Sequence, residues 1–112
     1  MEELLNSALK FLYLNEIIIV DDNSNQDEYD LLSKIVSLNK FNSLNIKLYR
    51  NEDSLGGFKN KLAGVKLSTN ELIYQIDSDN VISRKTIKFL NNKNNLNLIR
   101  NGEIYIPSKI NL

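Results

Sequence analysis

No cysteine and no histidine occur among the 112 residues. The first absence excludes disulfides, thiol catalysis and cysteine zinc sites. The second removes the usual general base and the commonest metal ligand. Charge of one sign is not in excess either: 14 Lys+Arg stand against 14 Asp+Glu, which argues against nucleic acid as a partner. No apolar run approaches the ~20 residues that span a bilayer. The opening MEELLNSALKF carries acids where a secretory leader needs a basic region. A cytoplasmic protein is therefore expected, with no transmembrane segment, whose chemistry uses carboxylates, Lys/Arg, hydroxyls and backbone. The length suits a single domain over residues 1–112.

What is present is an alternation of helical and extended patterns. Leu4, Leu5, Ala8, Leu9 and Leu12 form one stripe, predicting a helix over 2–14. The β-branched run Glu16–Val20 reads as a buried strand. Ser24 and Asp27 suggest a capping box for a helix over 27–38 that buries Leu31, Leu32, Ile35 and Leu38. Residues 46–50 alternate as a half-exposed strand does. Gly56-Gly57 precedes a third helix whose Phe58, Leu62 and Val65 share a face, with Asn70 as its left-handed cap. LIYQI (72–76) reads as the next strand, and Ser83 as the cap of a helix through Leu90. The run NNKNN (91–95) reads as a polar loop, and LNLIR and EIYIP flank Asn101-Gly102 as a β-hairpin. This order predicts an α/β layer fold with a mostly parallel sheet.

Two acidic pairs end predicted strands: Asp21-Asp22 after IIIV, and Asp77 with Asp79 after LIYQI. Ligands of open parallel sheets bind outside the carboxyl ends of the strands. On an extended chain Asp77 and Asp79 share a side, where each raises the other's pKa unless a cation intervenes. Mg²⁺ or Mn²⁺ takes one or two carboxylates and fills its shell with diphosphate oxygens and water. The bland alternative is a DSDN turn with solvated acids. Gly56-Gly57 at a helix start offers free N–H groups to an anion, and Lys61 adds a charge one turn further on.

The blocks EIIIVDDNSN, YRNEDSLGG and STNELIYQIDSDN, in this order, resemble the nucleotide-sugar half of family-2 glycosyltransferases of the GT-A fold, over residues from about Leu4 to Leu90. The resemblance implies a Rossmann-like layer and a glycosyltransferase that moves a sugar from a nucleoside diphosphate donor, a UDP-sugar, to a hydroxyl acceptor. It implies that Asp22, with Asp21 beside it, binds the nucleobase, and that Lys61 contacts base or phosphate if Gly64 matches the family's helix glycine. It places Asp77 near the ribose and Asp79 on Mn²⁺ or Mg²⁺, with both acids in the metal set. Leu62 departs from the family's usual Asn, Asn80 from its frequent acid, and Asn70 from a turn glycine. The family's first strand and its acceptor half with the catalytic base have no counterpart here. A truncated domain, inactive in transfer by itself, is therefore expected, with no catalytic residue assigned. Direct pairing of the strands 16–20 and 72–76, the hairpin, or a second copy or partner chain would complete the sheet. A receiver-type phosphoacceptor signalling domain and a non-catalytic nucleotide-binding fragment are the alternatives.

Overall fold

A computed structural model describes residues 1–100. They fall into two compact units, one formed by Asn15–Gln75, the other by Met1–Leu14 with the chain from Ile76 on. Among the described residues no helix is long and apolar enough to cross a membrane.

The Asn15–Gln75 unit contains the sheet. β1 (Ile17–Asp21) and β2 (Ile46–Arg50) pair in parallel, Ile17 opposite Ile46 and Asp21 opposite Arg50. Their β-branched and alternating sequences favour this pleated, half-buried setting. α2 (Gln26–Val36) and a single 3₁₀ turn (Asn39–Phe41) connect them, and Phe41 is almost fully buried. α3 (Gly57–Leu67) follows β2 and packs on β1. A Cβ on Gly64 would lie 3.7 Å from a Val20 methyl.

In the other unit, α1 (Glu2–Ala8), α4 (Arg84–Leu90) and α5 (Lys93–Arg100) are short helices. Leu4, Ile82 and Ile87 form its buried cluster, with Met1, Phe11 and Ile76 packed against it. Ser83 caps α4 as expected, its hydroxyl accepting the Thr86 N–H at 3.2 Å.

Several local expectations are corrected. α1 stops at Ala8, well short of Leu14. The α2 cap is Asn25, whose side chain accepts the Glu28 N–H at 2.9 Å, while the Ser24 hydroxyl turns back to Asp21. Leu31 and Leu38 stay exposed, and no α2 residue is fully buried. α3 ends at Ser68 in extended conformation. Asn23, with φ 61°, is the positive-φ non-glycine among the described residues, in place of Asn70. LNLIR is helical, within α5, because Asn92 Oδ1 accepts the N–H groups of Asn94 and Asn95 at 2.9 and 3.3 Å. That cap starts a helix inside the predicted polar loop and removes the first arm of the hairpin; the second arm lies outside the described residues.

Residues 72–76 form no strand: the sheet of the described residues has two strands, β1 and β2. The chain just before this segment meets the residues that lead into β1, with Thr69 N–H donating to Glu16 at 2.7 Å and the Asn15 amide to Asn70 at 3.1 Å. The segment does not go on to pair with β1 directly, which was one of the three ways expected to complete the sheet. A strand exists only with a partner for its backbone groups, and the LIYQI pattern alone does not supply one.

Candidate nucleotide-donor site

β1 delivers two adjacent acids at its carboxyl end, and their side chains are used differently. The Asp21 carboxylate closes its own turn, accepting the Ser24 hydroxyl at 2.6 Å and the Ser24 N–H at 3.1 Å. Its strand-register partner Arg50 approaches at 3.5 Å. The Arg50 guanidinium also donates to the Ser24 carbonyl at 2.6 Å and to Gln26 at 3.1 Å, and lies 4.5 Å over the Tyr29 ring. Asp21 and Arg50 thus shape the β1–α2 loop.

Asp22 reaches across to the segment that starts α3. Its Oδ1 accepts the Leu55 N–H at 2.7 Å and the Asn51 amide at 3.0 Å. Its Oδ2 accepts the Gly56 N–H at 2.9 Å and the Ser54 hydroxyl at 3.2 Å. A carboxylate offers about four acceptor positions, so the chain fills them all. The Leu55 N–H first, then the Asn51 amide, hold the Asp22 carboxyl below its ordinary range. Asn51 is itself anchored: its amide also donates to Asn60 Oδ1 at 2.8 Å, and the Asn60 amide donates to the Val20 carbonyl at 3.1 Å. Gly56 has φ 82° and ψ 163°, a conformation essentially reserved for glycine, which turns Leu55 and Gly56 towards Asp22.

Lys61 lies on a different side of α3 from this network. It follows Asn60, a step of about 100° around a helix, and with Phe58, Leu62, Val65 and Gln75 lines a shallow cleft of about 160 Å³. Phe58, Leu62 and Val65 do share a face, and Phe58 and Leu62 are exposed on it. The Gln75 amide donates to the Lys61 carbonyl at 3.1 Å.

Asp77 and Asp79 belong to the other unit. They occupy the first and third places of a tight turn closed by the Asn80 N–H on the Asp77 carbonyl at 3.0 Å, and both are exposed. The shared face of an extended strand, from which their pairing was predicted, is therefore not their geometry. Among the described residues no group of three or more acidic side chains gathers to hold a metal ion. Two exposed carboxylates still match in kind and number what Mg²⁺ or Mn²⁺ takes from a protein when diphosphate and water complete its shell.

Asn51, Ser54 and Asn60, which hold or anchor Asp22, escaped the sequence reading. The one available signal was the Gly pair, which falls between Ser54 and Asn60; asparagine in this chain is too frequent to stand out.

The family model for glycosyl transferase family 2 matches residues 1–94. The chain belongs to glycosyl transferase family 2. No curated protein and no solved structure matches it. The helices and small parallel sheet agree with part of a GT-A domain, and membership points to a transferase acting with a nucleotide-sugar donor.

Proposed function

We propose that this chain binds a nucleoside diphosphate sugar, a UDP-sugar, for transfer of the sugar to a hydroxyl acceptor. The observation that carries the reading is the Asp22 carboxylate, held at the carboxyl end of β1 against the glycine-rich start of α3. Acids in that place can accept a nucleobase ring N–H, and the end of a parallel strand is where open α/β sheets bind ligands. Asp22 is assigned to the base, and Asp21 beside it fixes the loop that presents it. Lys61, exposed on α3, supplies a positive charge for base or diphosphate.

Asp77 and Asp79 would hold Mg²⁺ or Mn²⁺ together with the diphosphate. Bound there, the ion would offset the charge that builds on the departing diphosphate. The turn would contribute two carboxylates on a short arc, with Asp77 also assigned to the ribose.

Calorimetric titration of the chain with uridine diphosphate and adenosine diphosphate, with Mn²⁺ or with chelator, tests this. Uridine diphosphate should bind more tightly, and more tightly again with metal. Asp79→Asn should remove the metal dependence, and equal affinity with metal and chelator would refute the assignment of the turn.

A further inference from the structure

If Asp22 receives a nucleobase, it must first give up a bond it already has. All four of its acceptor positions are filled, by Leu55 N–H, Asn51, Gly56 N–H and Ser54. Resting on the donor-site reading above, we infer that Asn51 is a positioning residue that keeps Asp22 aimed at the ligand, while Ser54 is the donor that a ring N–H of the ligand replaces.

The four donors differ in how readily they can leave. The Leu55 and Gly56 N–H groups belong to backbone fixed at the start of α3, so releasing either would require the chain itself to move. Asn51 is half-buried and is tied at its far side to Asn60, which is tied to the Val20 carbonyl. The run Val20–Asn60–Asn51–Asp22 thus connects strand, helix and loop, and defines where the carboxylate points. Ser54 makes the longest of the four bonds, at 3.2 Å, and its residue is exposed. Its hydroxyl can turn to water at little cost, whereas an unreplaced bond to a buried donor would be lost outright. The incoming N–H then takes the Oδ2 position with the carboxylate still held on its other three sides.

Two substitutions at donors to one carboxylate should therefore act in opposite directions. Asn51→Ala frees Asp22 to turn away, and should weaken uridine diphosphate binding about threefold to tenfold while narrowing the preference over adenosine diphosphate. Ser54→Ala removes the competitor, and should strengthen binding about threefold while widening that preference. A merely structural Asn51 would lower the melting temperature and leave the base preference alone. Should Asn51→Ala fold poorly, the exposed Ser54→Ala still carries the test.

Titration of the parent chain, Asp22→Ala, Asn51→Ala and Ser54→Ala with both diphosphates, each with its melting curve, decides the matter. Opposite shifts in affinity and preference support the exchange. If affinity depends on Asp22 but the other two variants shift it in the same direction or not at all, the exchange is wrong and the donor site stands. If Asp22→Ala binds as the parent does, or the parent binds no uridine diphosphate, both readings fall.

Discussion

The two ends of β1 each carry an acid that grips one end of α3, and only one of them is suited to let go. At the entry end, Glu16 accepts the Thr69 N–H at 2.7 Å and the hydroxyls of Thr69 and Ser68 at 3.1 and 3.2 Å. It also pairs with Lys47 on β2 at 3.1 Å, and its own side chain is 5% exposed. The Thr69 N–H, then Lys47, bring the Glu16 carboxyl down to about 2. At the exit end Asp22 accepts as many hydrogen bonds, but among the described residues its donors are all neutral and one is an exposed serine. A carboxylate paired with a cation is a fastening; one held by neutral groups alone can exchange one of them for a ligand more readily. Hydrogen-bond number alone does not separate the two roles. Countercharge does.

The largest effect is expected at Glu16. Glu16→Ala leaves Lys47 and the Thr69 N–H without their acceptor and unfastens the end of α3, so it should lower the melting temperature more than any other change considered. Nucleotide affinity of the folded fraction should stay as in the parent. Asp22→Ala should do the converse, erasing base preference with a smaller thermal cost. Thermal unfolding by circular dichroism, read beside titration, checks both, and an Asp22→Ala chain that melts below Glu16→Ala would undo the contrast.

Next comes Gly56. Its φ of 82° with ψ 163° lies in a region that side chains resist, although nothing within 4 Å would meet an added Cβ. Gly56→Ala should therefore cost about 1–3 kcal/mol through backbone strain. It would also shift the amides that hold Asp22. Urea unfolding gives the first effect directly; an unchanged midpoint would mean that the loop relaxes freely and that the exit end is looser than its hydrogen bonds suggest.

The pH response sharpens the comparison further. A carboxyl with a lowered folded-state pKa contributes stability that is fully present above its unfolded value and lost as pH falls through the folded one. For Glu16 that window runs from about 4.5 down to about 2, and Asp22 acts in the same direction. Glu16→Gln, which keeps an acceptor but not the charge, should flatten the decline of stability across that window while lowering the plateau above it. A parent and a variant with parallel acid limbs would show that the Glu16 charge, held by the Thr69 N–H and by Lys47, contributes nothing.

Much of the scaffold around these ends was legible from residue pattern. β1, α2, β2, α3 and α4 follow from β-branched runs, apolar periodicity and the Ser83 cap, within a residue or two at most boundaries. Residues 72–76 were misread because a strand is a pairing, and its partner is not written in its own residues. LNLIR was misread because the Asn101-Gly102 turn signal was weighed without Asn92, whose cap decides for helix. At the site, Asp22 was visible as an acid after a strand. Its partners were not: Asn51 and Ser54 stand 29 and 32 positions away, and neither amide nor hydroxyl leaves a periodic trace.

The smallest effect concerns the helix between the two ends. If Glu16 and Asp22 fix α3 from its extremities, its middle has no need of glycine. A Cβ at Gly64 would meet the Val20 methyl at 3.7 Å, an ordinary contact distance. Alanine is favoured over glycine inside a helix by about 1 kcal/mol, and the added methyl would extend apolar contact with β1. Gly64→Ala should therefore leave the chain as stable as the parent or up to about 1 kcal/mol more stable. Base preference should not change, because Asn60 and Asn51 keep their anchors at Val20 and Asp22. A clear loss of stability in urea would mean that α3 lies closer to β1 in solution than the 3.7 Å contact allows. The grip at the two ends would then be drawing the helix down onto the strand, and Gly64 would be the residue that admits it.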